Sequence, residues 1–308
     1  MPLDNTSKIS NGFIHLVKGS DGSTVSGLTI NNTKGALSIN GIYVGQLHGI
    51  WITKSNNNTI VNNTIRIANA AGVYAMPMGW SSYNRIIGND MSTYITCVMV
   101  MGQCHYNIIS KNKLETLDYN DLIVSNLIYF NPFGHADYGG SPLCLGNVIS
   151  DNYLKAFCNG AMSIVLQLVY ENHINTTIAN NTIIRGSYGI SLYSDNATVY
   201  NNTIIESSIS VSAMGKNISV TYNNVTGTSQ GNGILVNGEK GYSAIVAHNN
   251  VTFTDIYCAI GLSNYTEAFN NTVNIKNYGV GISITDNCSY VHDNKIKVNH
   301  DNAITFIG

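Results

Sequence analysis

Single asparagines recur at one fixed position between apolar residues along almost the whole chain. The shared pattern is apolar-x-x-Asn-x-apolar, as in "IVNNTI" from residue 60 and "VYNNTI" from residue 199. Successive copies are 21 to 29 residues apart, apart from one interval of 40 residues. An earlier copy, "VSGLTI", has Leu28 at the asparagine position. The ten asparagines of the pattern are Asn63, Asn89, Asn112, Asn152, Asn181, Asn202, Asn223, Asn249, Asn271 and Asn294.

A second apolar unit follows each asparagine and consists of a small residue before an apolar-x-apolar segment. Examples are "GIWI" from residue 49, "GVYA" from residue 72, "GISL" from residue 189 and "GISI" from residue 281. This alternation is typical of short strands with inward and outward side chains, and it predicts about three strands in each repeat. Roughly 23 residues are too few for a propeller blade, and the repeat contains no helical pair. The sequence therefore predicts an all-β fold in which each repeat is one coil of a parallel β-helix.

The predicted β-helix is a single domain over residues 1–308, with about eleven coils stacked ~4.8 Å apart. Each corner between strands needs a residue that tolerates the left-handed backbone conformation, which asparagine does better than any other residue except glycine. Stacked asparagine amides also hydrogen-bond to the coils above and below. We therefore expect the ten repeat asparagines to form a structural ladder and to supply the left-handed corners.

These "NNxI…GIxI" repeats resemble the right-handed, single-stranded parallel β-helix proteins of the pectate-lyase-like superfold. They are most similar to the asparagine-rich repeats of NosD-like and archaeal adhesin-like surface proteins. The resemblance covers about residues 13–308. It implies the fold but not one function, because this scaffold carries lyases, hydrolases, epimerases and adhesive rods.

Two intervals between repeats are long enough for the chain to leave the regular coil. The first gives a predicted insertion at about residues 31–48. In the second, "DLIV" at 121–124 fits the second strand of its coil by spacing, so a predicted loop covers about residues 125–146. Interruptions of a regular stack are where function usually lies.

Aromatic and polar side chains are concentrated in the second loop and in the matching corners of neighbouring coils. Stacking would bring them to one side of the rod, where rings contact the C–H faces of a sugar and polar groups bind its hydroxyls. The alternative is that these aromatic residues pack the loop onto the rod. The candidate ligand-binding residues are Trp80, Tyr83, Tyr106, Phe133, Tyr138, Tyr170 and His173.

A polysaccharide-active enzyme is the alternative function. The resemblance to pectate lyases and polygalacturonases implies carboxylates on the outward face of one sheet, but the outward positions expected here are Trp51, Tyr74, Met99, Ile123, Ser191, Leu235, Gly261 and Ser283. Because glycoside hydrolysis generally needs two carboxyl groups ~5–9.5 Å apart, catalysis would have to use the long-loop corner. The candidate catalytic residues there are the carboxyls Asp137 and Glu171, the bases His135, His105 or His173, and Tyr138.

Charged residues make up only 10% of the chain, against about 25% in an ordinary globular domain, and the net charge is −2. The chain therefore offers no basic surface for nucleic acid, and no apolar run approaches the ~18 residues of a membrane span. The six cysteines lack metal-site spacing, and we expect buried thiols, with a disulfide left open. The NosD resemblance raises a copper(I) site on soft sulfur ligands, but methionine is a common gap-filler in apolar stacks, so we expect no metal and no cofactor. The side chains that would supply that site are Met76, Met78, Met99, Met101, Cys104 and His105.

These features predict an extracellular or cell-surface structural rod, adhesin-like, that binds glycans through the aromatic corner. Fourteen Asn-x-Ser/Thr triplets are acceptors for N-glycosylation if a glycosylating cell exports the chain. The last coil contains "AITFIG" without a visible polar cap, so we expect a flanking domain or a partner to stack there.

Overall fold

The computed structural model describes residues 12–32, 38–39, 42–43, 48–67, 74–93, 96–117, 126–131, 143–156, 162–166, 173–228, 231–286 and 288–307. These residues form short strands joined by turns and bends, and they contain no helix. Apart from one short antiparallel pair, the strands pair in parallel, each with its counterpart one repeat further along the chain. The fold is therefore a parallel β-solenoid, and the predicted all-β, β-helical class is confirmed.

Sheet 1 contains the apolar residues that precede the repeat asparagines. Its centre position is apolar and faces the interior, so that Ile60 and Ile86 stack in register and are fully buried. The described residues contribute eleven strands to it, which are Thr24–Ser26, Thr59–Val61, Arg85–Ile87, Ile108–Ser110, Val148–Ser150, Thr177–Ala179, Thr198–Tyr200, Ser219–Thr221, Ala244–Ala247, Thr266–Phe269 and Tyr290–His292.

Sheet 2 begins directly after the repeat asparagines, and sheet 3 contains the apolar-x-apolar units. Two long strands, Thr182–Tyr193 and Thr203–Met214, run through both sheets. The other strands of sheet 2 are Thr29–Asn32, Thr64–Ile67, Asp90–Thr93, Lys113–Thr116, Tyr153–Lys155, Asn224–Gly227, Asn250–Phe253, Thr272–Ile275 and Lys295–Val298. Those of sheet 3 are Gly12–Leu16, His48–Thr53, Tyr74–Gly79, Thr96–Met101, Asn126–Asn131, Met162–Leu166, Asn232–Asn237, Cys258–Ser263, Val280–Ile284 and Ile304–Phe306.

Two small pairs lie outside these sheets. Cys144–Leu145 pairs in parallel with His173–Ile174. Ser38–Ile39 and Ile42–Tyr43 form an antiparallel pair within the first predicted insertion.

The strands of two coils differ from the sequence prediction. Tyr74–Gly79 takes the sheet 3 position that "GVYA", residues 72–75, was expected to fill, so Tyr74 begins the strand instead of occupying its outward centre. Asn126–Asn131 pairs with Thr96–Met101 and Met162–Leu166. It therefore provides the sheet 3 strand inside the segment predicted as a loop. Residues 121–124, with Ile123, lie outside the described residues.

The repeat asparagines form one hydrogen-bonded column. At Asn202, the side-chain amide donates to Asn223 Oδ1 at 3.0 Å and to the carbonyl of Ile178 at 2.9 Å. Its own Oδ1 accepts from Asn181. The same bonds link every repeat asparagine to the next, with Leu28 donating its backbone N–H at the first coil. The interior amides are therefore hydrogen-bonded, which removes the cost of burying them.

The left-handed residue of each corner is the one before the repeat asparagine. Asn62, Asn180 and Asn201 have φ of 55°, 57° and 52°, whereas the buried asparagines that follow them are not in the left-handed region. The prediction that the ladder asparagines supply the left-handed corner is therefore wrong. The two roles fall on different residues because the left-handed residue points its side chain into solvent, and the side chain of the next residue then faces inward.

Candidate functional site

Five of the candidate site residues lie within the described part of the chain: Trp80, Tyr83, His105, Tyr106 and His173. The remaining candidates fall outside it, so their structure is not described. They are Phe133, His135, Asp137, Tyr138, Tyr170 and Glu171.

Tyr83 and Tyr106 stack on successive coils, with ring centroids 5.3 Å apart and an interplanar angle of 20°. Gly146 occupies the same corner of the next coil, where an added Cβ would lie 2.5 Å from the Tyr106 ring. The two faces of Tyr106 are therefore covered by Tyr83 and by the backbone at Gly146. Trp80 lies in the same way against Gly102, where a Cβ would come within 2.5 Å of the indole. Tyr83 and Tyr106 are nevertheless 54% and 47% exposed, so their ring edges reach the surface, and both the packing and the sugar-contact interpretations stay predictions.

His105 and His173 differ sharply in environment. His105 is half-buried, its Nδ1 accepts a hydrogen bond from the Leu145 N–H at 3.1 Å, and burial lowers its pKa. With Nδ1 as acceptor, the neutral ring carries its proton on Nε2, so Nε2 is a donor instead of a base. His173 is 1% exposed, and burial lowers its pKa to about 4. His173 therefore lies in the interior beside Phe130 and does not line the outer corner.

The cysteines near this corner are buried and protonated. Burial raises the pKa of the Cys104 thiol and raises that of Cys144 to about 11. Within the described ranges no group of three or more His, Cys, Asp or Glu side chains is arranged to hold a metal ion. Of the described thiols, Cys288 is exposed, whereas Cys97, Cys104, Cys144 and Cys258 are buried and free.

The outer face of sheet 3 carries a groove of about 360 Å³. Along its floor, Ser212, Leu235, Gly261 and Ser283 stack in register from four coils. Gly261 makes space for Leu235, because a Cβ at this glycine would lie 2.6 Å from Leu235 Cδ2. The lining residues are Ser212, Ala213, Met214, Asn232, Leu235, Val236, Asn237, Cys258, Gly261, Leu262, Ser263, Ser283 and Thr285.

The edges of the groove are polar, and none of its described lining residues is charged. On one edge Asn264 donates to Asn237 Oδ1 at 2.7 Å, and Ser263 and Thr285 share a hydrogen bond of 2.8 Å. Cys258 is its titratable lining residue, and burial raises the pKa of this thiol to about 11. General acid–base catalysis needs groups that titrate near the working pH. The described lining therefore supplies hydrogen bonds and apolar contact but no acid–base pair.

Charged residues beyond this edge pair with one another. Lys216 Nζ lies 3.5 Å from Asp195 Oδ2 and 3.6 Å from Glu239 Oε2. The same ammonium group lies 5.4 Å from the centroid of the Tyr242 ring. One lysine is thus shared by two carboxylates, which leaves this cluster with one net negative charge.

A second set of aromatic residues runs along the corner between sheets 1 and 2. Each of five consecutive coils contributes one ring, and neighbouring centroids are 5.5, 4.8, 5.7 and 5.3 Å apart. We call this set the aromatic strip, and its members are Tyr200, Tyr222, His248, Phe269 and His292. Tyr200 and Tyr222 are 41% and 51% exposed, so the strip forms part of the surface.

Ring stacking does not by itself explain the strip. Tyr222 and His248 are left-handed, with φ of 58° and 57°, at the position that asparagine occupies in Asn180 and Asn201. Such a conformation costs a non-glycine residue about 1–3 kcal/mol, whereas an aromatic pair gains about 0.5–1.5 kcal/mol. The stacking therefore roughly offsets the strain at Tyr222 and His248 and adds little net stability.

The strip was not predicted from the sequence, because each coil contributes only one ring to it. The signal is nevertheless present in the repeat. Each strip residue stands one or two positions before a repeat asparagine, as in "TYNN" from residue 221 and "AHNN" from residue 247. An alignment of the chain on those asparagines places the rings in two adjacent columns, with Tyr222 and His248 one position before the asparagine and the other three rings two positions before it.

Comparisons with known proteins concern the fold. The A-module of the mannuronan C-5 epimerase AlgE6 of Azotobacter vinelandii superposes with a TM-score of 0.52 at 11% identity, over 94% of this chain and 90% of that one. The surface protein and adhesin PfbA of Streptococcus pneumoniae gives 0.47 at 11% identity, over 96% and 85%. No family model matches the sequence, and no curated protein matches it significantly. At this level of identity, the likeness concerns the β-solenoid fold alone.

Proposed function

We propose that the chain is a non-catalytic, adhesin-like rod that binds a neutral glycan in the groove on sheet 3. The observation that carries this proposal is the groove itself. Its volume of about 360 Å³ lies in the range of small-ligand sites, ~300–1,000 Å³. Leu235 and Gly261 offer an apolar floor, and the hydroxyl and amide groups at its edges match the hydroxyls of a sugar.

The lining also favours a neutral ligand over an anionic one. None of the described lining residues is charged, so a polyuronate would find no cation to pair with there. The enzyme alternative uses Asp137, Glu171, His135 and Tyr138, which lie outside the described residues. His105 is placed as a hydrogen-bond donor at Nε2. No described contact favours catalysis over binding.

A location at the cell surface, with N-linked glycans, is part of the same proposal. Exposed asparagines support it: every Asn-x-Ser/Thr acceptor in the described residues is solvent-exposed, whereas the ladder asparagines are inward. The described residues form no helix that could cross a membrane. Mass spectrometry of native material tests this part, and bare acceptor asparagines would count against it. The expected partner at the last coil stays a prediction, and Ile304 and Phe306 are exposed there.

Blocking the groove tests the proposed function. In Ser212→Trp an indole would project from the groove floor, and we expect glycan-array binding to weaken at least tenfold. Ser191→Trp is the matched control, because Ser191 pairs with Ser212 one coil earlier and is not part of the lining. Equal binding by both variants and the wild type would contradict the proposal. Release of reducing ends or of unsaturated uronate from a polysaccharide panel would favour the enzyme alternative instead.

A further inference from the structure

We propose that the aromatic strip is a second binding surface, which holds a neutral polysaccharide chain along the axis of the rod. It shares no residue with the groove on sheet 3, so it stands independently of the proposed function. The strip lies at the corner between sheets 1 and 2, and its rings come from five consecutive coils. A row of similar contacts at regular coil spacing suits a ligand that itself repeats.

Hydroxyl and amide side chains accompany the rings on the sheet 2 side. Thr203, Asn224, Asn250 and Thr272 are paired in register along the same coils, immediately after the ladder asparagines. Asn224 and Asn250 are exposed, and Asn250 Nδ2 donates to Asn224 Oδ1 at 3.0 Å. That bond uses one of the two amide protons of Asn250 and leaves the second for another acceptor. Both asparagines stand in Asn-x-Thr triplets, and the strip proposal requires that these two acceptors carry no glycan, whatever the state of the others.

Stacked neighbours cover the facing sides of Tyr222 and His248, so the rings offer mainly their exposed edges for apolar contact with a sugar. The corner thus combines these edges with amides for sugar hydroxyls.

The charges at the strip favour a neutral partner. Glu267 and Asp293 lie at its C-terminal end, where they contact the two ring nitrogens of His292 at 3.0 and 2.8 Å. An anionic polymer would meet these carboxylates, and a cationic one would have to compete with His292 for them. A protein partner would be expected to need a broader apolar area, because this strip is one ring wide and bordered by polar residues.

The variant that tests the strip replaces Tyr222 and His248 by asparagine, which the neighbouring coils carry at this left-handed corner as Asn201 and Asn270. The matched control replaces Tyr83 and Tyr106 by asparagine. Those tyrosines are also stacked, exposed and left-handed, but they lie on another corner. Both double variants therefore lose the same kind of side chain from the same backbone conformation.

Binding is measured by affinity gel electrophoresis with mixed-linkage β-glucan, xyloglucan, galactomannan and dextran, and with polygalacturonate as the anionic probe. We expect at least one neutral polymer to retard the wild type, the strip variant to bind it at least tenfold more weakly, and the control to stay within twofold. Matching thermal unfolding midpoints would show that the strip variant is folded. If it is not, Tyr200→Thr replaces it, because Thr221 occupies the same position one coil further.

Three outcomes would overturn the proposal. The first is that no neutral polymer retards the wild type, or that only polygalacturonate does. The second is that the strip variant and the control lose equal affinity. The third is that Ser212→Trp abolishes retardation while the strip variant leaves it unchanged, which would assign all binding to the groove. Loss in the strip variant with normal binding by Ser212→Trp would support the strip and count against the groove.

Discussion

The two aromatic regions of the rod look alike in composition but differ in what their rings contact. Around Tyr83 and Tyr106 the rings lie between one another and a glycine of the next coil, and His173 is buried in the interior. Along the aromatic strip the rings meet mainly other rings at the surface. Aromatic content therefore does not identify a binding surface. The two regions differ in what covers the ring faces, which is a glycine backbone at Tyr106 and another ring at Tyr222. They do not differ in exposure, which is 47% for Tyr106 and 51% for Tyr222.

The largest expected effect concerns the buried His173 in the first of these regions. Its folded pKa is lowered to about 4 by burial, from an ordinary value of 6.5. The unfolded chain therefore binds more protons between pH 6.5 and 4, and the free energy of unfolding should fall by about 3 kcal/mol as the pH drops through this window. Urea denaturation at pH 7 and pH 4 measures the change.

His173→Leu is the comparison for that experiment, because leucine does not titrate and has a similar volume. We expect it to lack this part of the acid sensitivity, whatever its absolute stability at pH 7. Identical slopes of stability against pH in the wild type and His173→Leu would show that the buried ring does not control the acid response.

A smaller effect is expected where rings pack on glycine. Gly146→Ala places a Cβ against the Tyr106 ring, and Gly146 is also left-handed, with φ of 60°. Gly241 has φ of 84° but no atom within 4 Å of an added Cβ, so Gly241→Ala isolates the backbone strain. Overpacking costs about 1–3 kcal/mol, so Gly146→Ala should lose about 2 kcal/mol more than Gly241→Ala in urea denaturation. Equal losses would mean that Tyr106 moves away freely and is not held on the rod.

The fold could be predicted from the sequence because two independent signals agree. Apolar residues keep a fixed distance from the repeat asparagine, and stacking such units in register buries both the apolar residues and the amides. The residues that form each individual strand were harder to predict. "GVYA" at 72–75 and "DLIV" at 121–124 match the apolar-x-apolar unit as well as the strands that form at Tyr74–Gly79 and Asn126–Asn131. The choice between them depends on pairing with adjacent coils, which local sequence does not contain.

The candidate site was harder to predict because side-chain direction depends on the column that a residue joins. His173 corresponds to Cys104 and Cys144 if the chain is aligned on Asn107, Asn147 and Thr176. That alignment would have placed it in the interior. The aromatic strip likewise becomes visible only if the residues at the corner before each repeat asparagine are aligned. The region around Tyr83 and Tyr106 is marked by dense aromatic segments in the sequence. The rings of the aromatic strip are separated by a whole coil in sequence and form no such segment.

The smallest effect is expected at His292, at the end of the strip. Its hydrogen bonds to Asp293 and Glu267 raise its pKa above the ordinary value of 6.5. Both ring nitrogens lie within 3.0 Å of a carboxylate oxygen, which only the doubly protonated ring satisfies as a donor. Its contribution to stability should therefore be complete below pH 6.5 and disappear as the pH rises through the folded pKa, opposite in sign to His173.

NMR titration of the His292 ring measures this pKa directly, and Glu267→Gln should lower it by removing one of the two carboxylates. Glu239→Gln is the control, because Glu239 contacts Lys216 and is not a partner of His292. A wild-type pKa at or below 6.5, or one that Glu267→Gln leaves unchanged, would mean that the carboxylates do not hold the imidazolium. The carboxylates at the end of the strip would then be open to a cationic ligand, and the preference for a neutral polysaccharide would lose its electrostatic basis.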